Sequence, residues 1–363
     1  MEEVLLHVGM HKTGTTTLQS ALAGYDDGET VTADLEFPNH SVPVYTAFSE
    51  APERYHFWRA HGLSQAQVEE RRRGYLQMLD GQLARSDRRR LVISGEDISV
   101  LDAREKATLT GFLTARAPKL HVVCYLRAPA AYAGSALGQR IKGGVKTLPE
   151  SCSPQYRLRL EGFRTDPRIS RLSVRKFAPG ALRKRDIVED FAVRHGLDPA
   201  RMARSPLNEG LSAAALKLIF HFNKAMPLSA GDLVLMQARQ ALVREVSEAY
   251  PGPGLGRPWL RCLADESELG YAEAQFGLSF GPPPPRPAAG RGKLEAHLDD
   301  LSGIDLSPLD GLLGGHGIAG SFGTPAEKLI RLYLWHVYDR QHAQQQKREA
   351  KAAAPTPSPG SGS

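Results

Sequence analysis

An α/β fold, with a central parallel sheet flanked by helices, is expected from three features of this 363-residue chain. Short, nearly continuous apolar runs recur at Val4–Val8, Leu91–Ser94 and Leu120–Leu126, the pattern of strands buried on both faces, and Leu172–Phe177 reads as a further strand. Longer segments with helix starts lie between them, the alternation that builds a parallel sheet through crossover helices. The first run leads directly into Gly9-Met10-His11-Lys12-Thr13-Gly14-Thr15-Thr16, a glycine-, lysine- and threonine-rich turn that opens a helix.

The elements follow in chain order. Val4–Val8 is a buried strand, and the helix after the turn runs from about Thr15 to Ala23. Strand, loop and helix N-terminus together form an anion cradle, because backbone N–H groups converge in the loop and the positive end of the helix dipole adds to them. The ordinary phosphate loop is written G-x-x-x-x-G-K-[ST]. Gly9 and Gly14 have that spacing, but Thr15 stands where the lysine belongs, and the loop's lysine is Lys12. Thr30–Leu35 reads as a short strand and Pro38–Pro43 as a loop, in which His40 is either a catalytic candidate or a surface residue. A helix starts at Ser64, whose S-x-x-Q spacing to Gln67 is a capping box, and runs toward Arg85.

Leu91–Ser94 is the next buried strand and ends in Gly95-Glu96-Asp97. Ligands of open parallel sheets lie beyond the carboxyl ends of the strands, so Glu96 and Asp97 are site candidates. The plainer alternative for Glu96 is a turn cap or an arginine's partner. Asp102 and Glu105 start a helix that reaches about Ala115. The strand Leu120–Leu126 ends in Arg127, Pro129 takes the first helical position, and that helix carries Ser135 before stopping at Gly143-Gly144. Leu172–Phe177 is a further strand. Residues 213–250 read as helical, Pro251–Pro258 and Gly281–Arg291 as Pro/Gly loops, and Thr324-Pro325-Ala326-Glu327 as a strong helix start. The Pro/Gly/Ser tail after Lys347 is expected to be disordered.

Composition narrows the function classes. Hydrophobic content of 41% and charged content of 24% suit an ordinary globular chain of one large or two modest domains. No apolar run approaches the roughly 18 residues of a membrane span, and Met1-Glu2-Glu3 is no basic signal-peptide start. Three distant cysteines, Cys124, Cys152 and Cys262, argue for reduced thiols and a cytoplasmic setting. The net charge of +6 suits a polyanionic ligand. The triplets Arg71–Arg73 and Arg88–Arg90 lack interleaved aromatics and read as solvated faces, so no nucleic-acid partner is expected.

The run Lys12-Thr13-Gly14-Thr15-Thr16 after a strand resembles the 5′-phosphosulfate loop of the sulfotransferases that use 3′-phosphoadenosine 5′-phosphosulfate (PAPS). Arg127 with Ser135 eight residues on resembles that family's 3′-phosphate element. Val174-Arg175-Lys176-Phe177 with Asp186 and Asp190, and the run Pro206–Ser212, resemble stretches of its bacterial members. The matches run in order from His7 to about Phe220. The resemblance implies a phosphate-loop (P-loop NTPase-like) three-layer architecture, with residues 1–225 as the PAPS-binding core, 226–348 as a helical C-terminal region and 349–363 as the tail. It also implies that His11, Lys12, Thr13, Gly14, Thr15 and Thr16 hold the phosphosulfate end, and Arg127 and Ser135 the 3′-phosphate. The late R-K-G element of many cytosolic members is missing, and Arg183-Lys184-Arg185 stands in a different context.

On this reading Lys12 stabilises the departing phosphate and Glu96 is the expected base, with His40 and Asp97 behind it. The acceptor is a hydroxyl or amine of a carbohydrate or small molecule, and no metal is required. Two alternatives stay open. One is a small-molecule kinase using ATP and magnesium, with Lys12 on the phosphates and Asp97 on the metal. The other is a non-catalytic nucleotide-binding protein of the same fold.

Overall fold

The computed structural model describes residues 1–85, 87–203, 210–227, 232–281 and 290–353. Two compact units divide the chain, the first from residues 1–136, 150–209 and 260–287, the second from 137–149, 210–259 and 288–363. Unit 1 begins with β1 (Glu3–His7), α1 (Thr15–Leu22), β2 (Thr30–Thr32), α2 (Ser41–Phe48), α3 (His56–Ala60), α4 (Gln65–Ala84) and β3 (Arg90–Ser94). It continues through α5 (Ala103–Thr114), β4 (Lys119–Leu126), the start of α6 (Pro129–Lys142), α7 (Tyr156–Thr165), β5 (Arg171–Lys176) and α8 (Ile187–His195).

The five strands form one sheet in the order β2-β3-β1-β4-β5, and every pairing is parallel. Leu6 of β1 lies level with Ile93 of β3 and Val122 of β4. Successive side chains turn to opposite faces. Val4 and Leu6, with Leu91, Ile93, Leu120, Val122 and Cys124, pack under Val68, Tyr75 and Leu79 of α4, Leu109 of α5 and Phe163 of α7. Leu5, Val92, Val123 and Tyr125 face the other way, under Leu18 and Leu22 of α1 and Val188 and Phe191 of α8. Both faces of the sheet are therefore covered at its centre, which is why β1, β3 and β4 read as nearly continuous apolar runs, while the edge strand β5 is only half-buried. The two capping boxes form as expected, Ser64 with Gln67 and Asp102 with Glu105.

Several expectations need correction. The second strand stops at Thr32 instead of Leu35. The stretch Pro38–Pro43 is not all loop, since Ser41, Val42 and Pro43 form the first turn of α2. Proline is tolerated there because the first N–H groups of a helix have no intrahelical acceptor. Of the run Pro206–Ser212, residues 206–209 lie outside the described residues, as do 282–289 of the Gly281–Arg291 stretch and 354–363 of the tail.

Beyond β5 and α8 the chain forms α9 (Ala213–Ala225), α10 (Leu233–Ala249) and α11 (Arg257–Leu260), then α12 (Ser267–Phe276) of unit 1. It ends in unit 2 with α13 (Arg291–Asp299), α14 (Ser307–Gly315) and α15 (Pro325–Ala353), which continues past the expected tail boundary at residue 349. The division also differs from a split at residue 225. Residues 137–149 group with α9, where Asn223 donates hydrogen bonds to the carbonyls of Ile141 and Val145, both at 2.8 Å. Among the described residues no helix is long and apolar enough to cross a membrane.

Candidate functional site

The sheet order places β1 between β3 and β4. From β1 and β3 the chain builds one side of the sheet, and from β4 it builds the other. The order thus reverses between β1 and β4, and in open α/β sheets the crevice at such a reversal, beyond the carboxyl ends, is where ligands sit. The loop after β1 and Arg127 after β4 flank that crevice. Arg127 donates from Nη1 to the Lys12 carbonyl at 2.9 Å, tying the two sides together. Its backbone carbonyl in turn accepts from the Tyr156 hydroxyl.

The loop is shaped from within. Gly9, Lys12 and Gly14 all adopt left-handed backbone conformations, at φ 51°, 69° and 73°. A left-handed residue beside a right-handed one can turn neighbouring N–H groups to the same side, the arrangement from which anion-binding concavities are built. Gly14 is the N-cap of α1 and supplies no side-chain cap, so the helix's first N–H groups remain for a ligand. A side chain at Gly14 would press on Phe177 and Ile187, each 3.2 Å from the Cβ position. Phe177 and Ile187 therefore border the loop, and Arg183-Lys184-Arg185 lies in the chain between them. Lys184 there pairs with Glu189 at 2.8 Å.

The loop's side chains play different parts. The Thr13 hydroxyl is buried and donates to the Met10 carbonyl at 2.6 Å, so it braces the turn. Thr15 is buried against Gly9, Lys12 is half-buried, and Thr16 is exposed. His11 donates from Nε2 to Asp97 Oδ1, 2.9 Å away. The other Asp97 oxygen accepts from the Tyr55 hydroxyl at 2.6 Å, and its backbone N–H donates to Ser41 Oγ. Burial alone would raise the Asp97 carboxyl, but the hydrogen bonds from His11 and Tyr55 and the nearby imidazoles outweigh it and hold it below its ordinary value. The His11–Asp97 pair was not foreseen as a pair.

Glu96 stands directly beside the loop. A Cβ on Gly9 would lie 3.1 Å from both Cα and Cβ of Glu96. Gln19 on the second turn of α1, only 3% exposed, donates from Nε2 to Glu96 Oε2 at 2.7 Å and to Asn39 Oδ1 at 3.2 Å. Ser99 braces the turn from below by donating to the Glu96 carbonyl at 2.7 Å and accepting from the buried Arg159 at 3.0 Å. Among the described residues Glu96 is thus held by a glutamine, not by an arginine. Neither Gln19 nor Asn39 was singled out in the sequence, where the T-T-L-Q run reads only as a helix start.

His40 does not join these groups. It is 1% exposed and no surface residue. Its Nδ1 accepts the Ser94 N–H at 3.0 Å, its own N–H donates to the Ser94 carbonyl, and it also bonds the Ala33 backbone. Burial lowers its pKa to about 4, so the ring is a neutral post between β3 and α2. Ser135 lies half-buried on the second turn of α6.

Gly95 explains how closely α2 approaches this corner. A Cβ there would lie 2.5 Å from the Ser41 nitrogen and 2.9 Å from the His40 carbonyl carbon, both backbone atoms that cannot rotate away. Gly95→Ala should therefore destabilise the chain by about 1–3 kcal/mol, the usual range for overpacking. Urea denaturation of the variant checks this, and a midpoint equal to that of the parent chain would mean that α2 moves without cost.

Comparison with known protein families, with curated proteins and with solved structures finds no match.

Proposed function

We propose that this chain is a PAPS-dependent sulfotransferase, moving a sulfuryl group to a hydroxyl or amine of a carbohydrate or small-molecule acceptor. The observation that carries the reading is the juxtaposition at the β1/β4 crevice of the Lys12–Thr16 loop, left-handed at Lys12 and Gly14, with the Arg127 guanidinium on one side and Glu96 on the other. Backbone N–H groups of the loop and of the first turn of α1 bind the 5′-phosphate, and Arg127 with Ser135 binds the 3′-phosphate. Glu96 takes the acceptor proton as the acceptor oxygen or nitrogen bonds to sulfur. The bond between sulfur and the bridging oxygen breaks, and Lys12 stabilises the charge that collects on the departing phosphate. Gln19 fixes the Glu96 carboxylate through one oxygen, which leaves the other for the proton.

His11 belongs to the same site, held by Asp97, and serves as a positioning group at the donor's phosphosulfate end. His40 is assigned a structural part. Kinase chemistry is the weaker reading, because the residue it would offer to magnesium, Asp97, already spends both carboxylate oxygens on His11 and Tyr55. The bacterial source and the acceptor class are carried by the resemblance alone, and the cytoplasmic setting by the three distant cysteines, Cys124, Cys152 and Cys262.

A thermal-shift titration with 3′,5′-adenosine bisphosphate, AMP and ATP, each with and without magnesium, tests the reading. At a hundredfold its dissociation constant the bisphosphate should stabilise the fold by about 2.7 kcal/mol. AMP should fall well short of that, and Arg127→Ala should abolish the difference between the two. Equal shifts from all three nucleotides would reject the 3′-phosphate assignment, and a shift only with ATP and magnesium would favour the kinase.

A further inference from the structure

Unit 2 carries a side-chain cluster with no part in sulfuryl transfer. Glu245 on α10, His316 immediately after α14 and His336 on α15 converge although they lie 71 and 91 positions apart in sequence. Glu245 Oε1 is 3.0 Å from His316 Nε2, and Oε2 is 3.0 Å from His336 Nε2 and 3.1 Å from His316 Nε2. One ligand atom from each residue fits within a mutual distance of 4.8 Å. We propose that these three residues form a binding site for a divalent transition-metal ion of the zinc class, which clasps α10, α14 and α15 together.

The donor set fits such an ion. Two imidazole nitrogens and one carboxylate oxygen make a borderline-soft triad suited to zinc, and unsuited to magnesium or calcium, which prefer oxygen throughout. The distances fit as well. Ligand bonds of about 2.0–2.2 Å at tetrahedral angles set neighbouring donors about 3.3–3.5 Å apart. The observed separations of 3.0 and 3.1 Å need widen by only a few tenths of an ångström to admit the ion. Both rings present the same nitrogen, Nε2, to the one carboxylate. Binding requires only that each neutral ring carry its proton on Nδ1.

The surroundings hold the rings in place. Trp335 lies against His316 with ring centroids 3.9 Å apart and stands edge-on to His336 at 5.1 Å. Leu309 and Leu313 of α14 and Leu329 and Leu332 of α15 are buried, and α14 and α15 pack on each other and on α10, which fixes the helices that carry the ligands. The His336 side chain is 6% exposed, whereas those of Glu245 and His316 keep 19% and 20%, so one side of the triad stays open to solvent. A water molecule can complete the coordination from that side. The ion would stabilise unit 2 by joining three helices that are distant in sequence, since metal-binding free energy adds directly to folding free energy.

The full chain, stripped with a chelator and dialysed, should take up one equivalent of zinc by metal analysis, and its melting temperature should rise with zinc and not with magnesium. Cobalt in place of zinc should give visible d–d absorption from a low-symmetry nitrogen and oxygen site. Glu245→Gln and His336→Gln should each weaken zinc binding by more than the roughly 10–100-fold that loss of a group behind a ligand costs. His342→Gln, at an exposed histidine of the same helix, should leave it unchanged. Failure of the unaltered chain to bind zinc at micromolar concentration would overturn the proposal and leave a hydrogen-bonded clasp. So would full retention of zinc by Glu245→Gln and His336→Gln, which would put the ion elsewhere. Circular dichroism of each variant separates lost metal affinity from lost fold.

Discussion

As the pH falls from 6.5 toward 4 the chain should lose stability, with a limiting slope of about 1.4 kcal/mol per pH unit for each histidine held neutral. Four buried histidines of unit 1 set this slope. Burial lowers His7 and His195 to about 3, and His40 and His121 to about 4. His7 sits inside with Nδ1 2.8 Å from Ser94 Oγ, between Tyr125 and Phe191. His121 and His195 face each other at 5.0 Å, so a proton on one opposes a proton on the other. Arg171 and Arg90 oppose charge on His121, and Glu3, at 3.9 Å, only partly offsets them. Each folded value lies below the 6.5 of an ordinary imidazole, so the unfolded chain takes up the proton first. The stabilisation is therefore complete above pH 6.5 and is lost as the pH falls toward 4. Net stabilities are about 5–15 kcal/mol, so unfolding is expected before pH 4 is reached. Urea denaturation followed by far-UV circular dichroism at several pH values measures the slope. A stability unchanged between pH 6.5 and 5 would show that these rings are not held neutral.

On the proposed function, Glu96→Gln should lower turnover of PAPS, to an accepting hydroxyl or to water, by roughly 10²–10⁴-fold. The amide keeps the shape and can still accept from Gln19, but it cannot take a proton. Bisphosphate affinity should stay nearly unchanged, because Glu96 borders the loop without forming its N–H cradle. Lys12→Ala should lower kcat as well and weaken the donor too, since its charge matters most when the bridging bond breaks. Turnover that survives Glu96→Gln and vanishes in His11→Ala would move the base to the imidazole held by Asp97. If both Lys12 and Glu96 variants altered only KM, neither residue would have the role assigned here.

How far the sequence spoke depended on the range of the interactions involved. The strand, loop and helix from Glu3 to Leu22 were legible because their determinants are local: an apolar run, two glycines at turn spacing and a threonine-rich helix start. Glu96 and Arg127 could be placed at the crevice because each follows directly on a recognisable buried strand. The same rule misplaced His40. Its neighbours Pro38 and Pro43 read as a loop, whereas the chain there folds back under Ser94 and buries the ring.

Contacts between distant residues were not legible. Gln19 meets Glu96 across 77 positions, and Arg127 meets the Lys12 carbonyl across 115. No spacing rule announces such a pair, because the sheet order β2-β3-β1-β4-β5 alone decides which strand ends become neighbours. The grouping of residues 137–149 with α9, the His11–Asp97 pair and the Glu245, His316 and His336 triad have the same origin. The sequence by itself determined the buried strands, the capped helices and the glycine-rich turn into α1, since propensity, hydrophobic period and turn chemistry act over a few residues. Only the tertiary structure decided which side chains face one another across the crevice and which histidines are sealed from water, because packing brings together residues that the chain keeps far apart.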